Sequence, residues 1–307
     1  MKRHSPSLEG FQTMFRLPSL GLAEIAWRWS FGLAVSALLA FSLREYMSTL
    51  PVTAEEMFLL GTRQPALILK ALARIFEGSA PRAVTALIVL LLGLTAGWTL
   101  LASLGRSAVL KTLFEYFRGN SWDPGTLAHQ PQTNRPGSLL YLNFFRAAVT
   151  LAAAAASFGA VLLAAAASSR TNPSPGTALL IFYMLIMFVG LAWLVLNWFL
   201  SLAAIFIVGR GQDMFGALSA VANLCWTRPL SVTAAATWFG LAHGLAFMVA
   251  TSAAAFPLAL AGVLPAGVVL GGMLLVTLLY FAVADFLYIG RLAAYVSMLQ
   301  EPKTIGD

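Results

Sequence analysis

Along most of this chain apolar residues do not alternate with polar ones. They run together, and charged residues mark where each run stops. Between Arg228 and Asp285 lie 56 residues with no Asp, Glu, Lys or Arg. About 20 apolar helical residues cross a hydrocarbon core of roughly 30 Å, so this run holds two membrane spans and a tight reversal framed by Pro257 and Pro265. Uncharged runs of 23 residues separate Arg82 from Arg106 and Arg146 from Arg170; one of 39 separates Arg170 from Arg210, and one of 15 separates Arg28 from Arg44. Within the 39-residue run, TNPSPG at 171–176 is turn chemistry, because proline removes backbone donors and glycine admits positive φ. Six spans follow, at about 26–47, 83–105, 147–169, 178–208, 231–256 and 267–289. The predicted fold class is all-α, a polytopic integral membrane helical bundle forming a single domain over 1–307.

Three stretches outside the spans do show helical periodicity. In Pro65–Phe76, Leu67, Ile68, Ala71, Leu72 and Ile75 share one face while Lys70 and Arg74 share another. In 107–117, Val109, Leu110, Leu113, Phe114 and Phe117 are apolar, with Lys111, Glu115 and Arg118 as the polar counterpart. A third stretch covers 211–226. All three predict amphipathic helices lying in the headgroup region. Residues 120–137 carry Pro124, Gly125, Pro131 and Pro136 among polar amides and predict a flexible cytoplasmic loop, the most accessible place for a protein partner.

Composition agrees with lipid as the solvent: 59% of residues are hydrophobic and 10% charged, against about 25% charged in an average soluble domain. The net charge of +7 does not signal nucleic acid, because the basic residues sit at the ends of apolar runs and not in a cluster with interleaved aromatics. They orient the chain instead. With six spans both termini share a side, and 13 of the 19 Lys and Arg residues fall on it. By the positive-inside rule both termini are cytoplasmic and the chain belongs in an inner (plasma) membrane. Cys225 is the single cysteine, so neither an intramolecular disulfide nor a thiolate metal cage is available. The segment 8–25 is interrupted by Glu9, Arg16, Pro18 and Glu24, and no cleavable signal peptide is expected.

Polar residues inside apolar spans each need an account, since a charge at a helix centre costs about 2.5–3.5 kcal/mol on insertion scales. Asn197 and His243 fall near mid-membrane when counted from the ends of their spans. The expectation is a hydrogen bond pinning two helices, with a polar pocket in which His243 relays protons as the functional alternative. Asp285 lies near the cytoplasmic end of the last span, at a depth similar to Arg28 and Arg146, and an interhelical ion pair is expected there. Gly93/Gly97, Gly240/Gly244 and Gly267/Gly271 each place two glycines on one helix face, predicting close helix packing, with a homodimer seam as the other reading.

Catalytic constellations are missing from the sequence. There is no glycine-rich nucleotide loop with a lysine, and His4, His129 and His243 have no metal-ligand spacing. No enzyme activity, cofactor or metal is expected. The stretch DMFGALSAVANLCWTRP, Asp213 to Pro229, leads into an apolar span. Through Ala217, Leu218, Leu224 and Arg228 it resembles the bacterial membrane domain associated with some glycerophosphodiester phosphodiesterases and its stand-alone relatives. The resemblance implies a six-helix integral membrane domain without the phosphodiesterase chemistry. The functional expectation is a non-enzymatic inner-membrane scaffold or accessory subunit. A small permease with a path near Asn197, His243, Tyr280 and Asp285 is one alternative. A lipid-handling protein whose basic interfacial helices meet anionic headgroups is the other.

Overall fold

Prolines and short polar residues punctuate the chain, and the helices start and stop at them. The structure, a computed structural model, describes residues 5–50, 52–62, 64–120, 136–168 and 174–300. Among them are ten α-helices and no strand: α1 (Pro6–Arg16), α2 (Pro18–Ser48), α3 (Ala54–Gly61), α4 (Pro65–Phe76), α5 (Ala80–Asn120), α6 (Pro136–Ala166), α7 (Pro175–Arg210), α8 (Met214–Thr227), α9 (Pro229–Ala259) and α10 (Ala266–Gln300). Six of these, α2, α5, α6, α7, α9 and α10, are long and apolar enough to cross a membrane. This is a multi-pass helical membrane protein.

Local chemistry explains the boundaries. Ser5 caps α1 by accepting from the Leu8 amide, Asp213 caps α8 through the Gly216 amide, and Thr53 with Glu56 forms a reciprocal capping box at α3. Gly211 ends α7 in the left-handed region, at φ 63°, where its amide closes on the Ile207 carbonyl. Helices stand where the periodicity placed them at 65–76 (α4) and over most of 211–226 (α8, Met214–Thr227), the latter with Ala217, Val221 and Leu224 buried in protein. The stretch at 107–117 is a correction. It is the continuation of a span within the single helix α5, and Leu110, Leu113, Phe114 and Phe117 are buried in protein instead of lying among headgroups. The physical reason is the missing stop signal: no proline interrupts α5 after Arg106, and Gly105 and Ser107 only weaken a helix without ending it. Helices α1 and α3 were not foreseen, and nearly all of the expected loop at 120–137 lies outside the described residues.

The chain divides into two compact units, Met1–Ala26 with Thr99–Asp307, and Trp27–Trp98. The smaller unit holds the outer parts of α2 and α5, joined through α3 and α4. Trp98 stands 5.5 Å from Trp27 and 5.3 Å from Phe31 at one end, while Tyr46 donates to the Ser79 hydroxyl (2.9 Å) and stacks on Phe76 at the other. Arg74 pairs with Glu55 at 3.3 Å across α3 and α4, on the exposed surface.

The larger unit is built from two antiparallel hairpins, α6 with α7 and α9 with α10, anchored at one end in a packed base. There α7 is buried without a gap from Leu200 to Ile207, and α10 from Leu292 to Met298. A helix apolar on every side needs protein on every side. The inner part of α5, together with α1 and α8, supplies it through Leu110, Leu113, Met14, Ala217 and Val221. Away from the base the picture changes: none of the membrane-crossing window of α7 is buried, and only 11% of that of α6.

Close approach of helices is set by glycine, though not by the glycines singled out above. A Cβ on Gly10 would stand 2.5 Å from the Gly290 carbonyl oxygen, and one on Gly290 would stand 2.7 Å from the Phe239 ring, which itself stacks on Phe11. Gly21 meets the Phe286 ring and Gly209 the Phe114 ring in the same way. By contrast, Gly93, Gly240, Gly244, Gly267 and Gly271 have nothing within 4 Å of an added Cβ, and Gly97 only an ordinary contact with Phe31. Among the described residues, the expected close packing is therefore not made at these three pairs. Four-residue spacing identifies a face but not what lies opposite it.

Candidate functional site

Counted from the helix ends remote from the base at about 1.5 Å per residue, Arg146 on α6, Asn197 on α7 and Asp285 on α10 all lie about 30 Å along. That distance is one hydrocarbon thickness. At this level the larger unit places a layer of polar side chains: Glu24, Thr99, Ser103, Arg106, Asn143, Ser201 and Asp285 are all buried.

Ser103, Arg106 and Asn143, together with Arg146, Asn197, Trp198, Tyr288 and Tyr295, link four helices in a closed ring. The Asn143 amide of α6 donates to the Ser103 hydroxyl of α5 at 2.9 Å, and Ser103 donates to the Thr99 carbonyl at 2.6 Å. Arg146 of α6 donates its Nε to the Asn197 side-chain oxygen of α7. The Trp198 indole of α7 donates to the Tyr295 hydroxyl of α10 at 3.0 Å. Arg106 of α5 closes the ring, with its guanidinium 5.0 Å from the centre of the Tyr288 ring of α10, while Arg291 stands 5.5 Å from the same ring. A further link within the α6–α7 hairpin runs from the Trp193 indole to the Thr150 hydroxyl at 3.2 Å.

Two expectations change as a result. Asn197 and His243 do not bond each other: Asn197 accepts from Arg146, and His243 Nε2 lies 3.0 Å from the Tyr280 hydroxyl. Both α7 and α9 also run on into the packed base, where Leu200 to Ile207 of α7 and Val232, Ala235 and Phe239 of α9 are buried. Of the expected ion-pair residues, Asp285 is buried in this layer and Arg146 belongs to it through Asn197. Arg28 belongs to the smaller unit, its guanidinium 5.4 Å from the Trp27 ring centre.

Glu24, Ser103, Arg106 and Asn143 were missed from sequence. Two of them had a readable signal: Ser103 and Arg106 recur with Thr99 at helical spacing along one face of an apolar run, which is the pattern of a buried polar stripe. Arg106 was read only as the end of a span. Glu24 is 1% exposed, one turn beyond Gly21, whose contact with Phe286 brings the start of α2 onto α10.

Chemically, this arrangement holds helices together. Each link joins segments far apart in sequence, and each buried donor that is bonded avoids the penalty of an unmade hydrogen bond, about 1–3 kcal/mol. Among the described residues no three His, Cys, Asp or Glu side chains come together as a metal site. No protein-family model, curated protein or solved structure matches this chain.

Proposed function

We propose that this chain is a non-enzymatic accessory or scaffold subunit of a bacterial-type inner membrane, with both termini in the cytoplasm. The observation that carries the reading is the contrast within the larger unit. Polar side chains are engaged with one another in the ring that ties α5, α6, α7 and α10, while the membrane-crossing windows leave most of their apolar faces uncovered by the chain itself. A rigid base with open transmembrane faces suits a protein that positions others. The resemblance of 213–229 to a membrane domain found beside separate catalytic domains points the same way.

A permease path through Asn197, His243 and Asp285 is less well supported, since Asn197 and His243 are bonded to different partners. The test is purification from native membranes in polymer-bounded lipid discs, followed by mass spectrometry. A second protein in near-stoichiometric amount is expected. Recovery of the chain alone, with solute flux in proteoliposomes that Asn197→Ala and His243→Ala abolish without unfolding it, would overturn the scaffold reading.

A further inference from the structure

His243 and Tyr280 stand apart from the polar layer. Counted along their helices, they lie about 6–9 Å from it toward the remote ends of α9 and α10, inside the membrane-crossing portion. His243 is exposed on the surface of the chain, and Gly240 and Gly244 beside it leave open space where side chains would otherwise stand. The Tyr280 ring is also flanked by Phe247, 5.8 Å away and edge-on.

Donor counting shows what this pair lacks. A neutral imidazole has one N–H and a phenol one O–H, and the single bond between them, 3.0 Å long, uses one of the two. If Tyr280 donates to Nε2, the proton on Nδ1 is left over. If Nε2–H donates to the phenol oxygen, the phenolic proton is left over. In either tautomer one donor faces out of the chain at a depth without bulk water, where an unmade hydrogen bond is costly. Acyl chains offer no acceptor. The nearest lipid groups that accept without donating are the ester carbonyls of the glycerol backbone, which lie at the edge of the hydrocarbon.

We infer that the His243–Tyr280 pair is a binding site for the ester carbonyl of a phospholipid in the leaflet on the side of the packed base. The carbonyl accepts the left-over proton, the glycerol backbone sits in the space beside Gly240 and Gly244, and an acyl chain runs along Phe247. The inference does not depend on the scaffold reading, because a lipid held here is compatible with any role of the chain.

The experiment uses the whole chain in detergent, offered an equal mixture of a dioleoyl ester phospholipid and its diether analogue with the same headgroup. The diether lacks only the carbonyls. Native mass spectrometry reads the ratio of retained lipids. One neutral hydrogen bond corresponds to roughly a fivefold preference for the ester, and this is expected for the wild-type chain and for Tyr280→Phe, which keeps the imidazole donor. The doubly substituted chain, His243→Phe with Tyr280→Phe, is expected to show a ratio near one. A wild-type ratio near one overturns the inference without any variant having to fold. So does an ester preference that survives the double substitution, or a ratio near one accompanied by disulfide-linked dimers of Gly244→Cys, which would place a second copy on this face.

Discussion

Gly10 and Gly240 differ in what stands where a side chain would go, and that difference fixes the sign of the same substitution. At Gly10 an added methyl meets the Gly290 carbonyl at 2.5 Å, backbone against backbone, with no rotamer to absorb the clash. Gly10→Ala is expected to destabilise by about 1–3 kcal/mol, as overpacking does. At Gly240, where nothing lies within 4 Å, alanine is expected to be neutral or to stabilise by up to about 1 kcal/mol through helix propensity. Thermal unfolding of the two variants in one detergent decides it, and equal losses would place Gly240 in a packed seam. Asn197 follows the same logic. Asn197→Ala removes the acceptor of Arg146 Nε and is expected to cost about 1–3 kcal/mol. Cys225 offers a pH test. Burial pushes its thiol above the ordinary value, so less of it is thiolate at pH 8 than for a free cysteine. Alkylation is expected to be slower than for free cysteine at that pH, and its rate should keep rising beyond the pH at which the free thiol levels off.

At the scale of single helices, α5 carries the clearest test. Were residues 107–117 a separate interfacial helix, a proline at 108 would occupy its first turn at little cost. In one continuous helix the same proline removes a hydrogen bond in the middle of α5, at a cost of about 3 kcal/mol or more. Ala108→Pro is therefore expected to lower expression and melting temperature sharply, although Ala108 itself is exposed. This element also shows what sequence reading captures. The spans were legible from charge gaps because hydrocarbon selects against charge all around a helix. Amphipathic periodicity located Leu110, Leu113 and Phe114 on one face but was silent on whether lipid or protein covers it. The partners of the polar ring were illegible for a related reason. Asn143 and Ser103 are 40 positions apart, Trp198 and Tyr295 97, and the apolar residues between them say only that both helices cross. His243 and Asn197 were paired because each seemed to lie mid-span. Their actual partners, Arg146 for Asn197 and Tyr280 for His243, stand on other helices, which counting depth along one helix does not distinguish.

For the molecule as a whole, the base and the charge distribution bear on one question, which side is which. The ends that carry the packed base are those joined by the 120–137 loop and by α8, and they include Lys111, Arg118, Arg210, Arg228 and Arg291. The remote ends of the larger unit have Arg170 alone between α6 and α7, and no charged residue between α9 and α10. A tight reversal at 260–265 carries no charged residue that would resist translocation. The positive-inside rule therefore predicts a cytoplasmic base, and the prediction is open to a direct labelling test. A cysteine placed at Thr126→Cys in a Cys225→Ala chain reports on the loop, and one at Gly262→Cys on the opposite reversal. In intact cells a membrane-impermeant maleimide is expected to label the residue at 262 and to reach the one at 126 only after the membrane is opened. The reverse pattern would turn the molecule over and put the base outside. Labelling of both in intact cells would mean that the chain does not adopt one orientation, and the assignment of the near leaflet as cytoplasmic would fall with it.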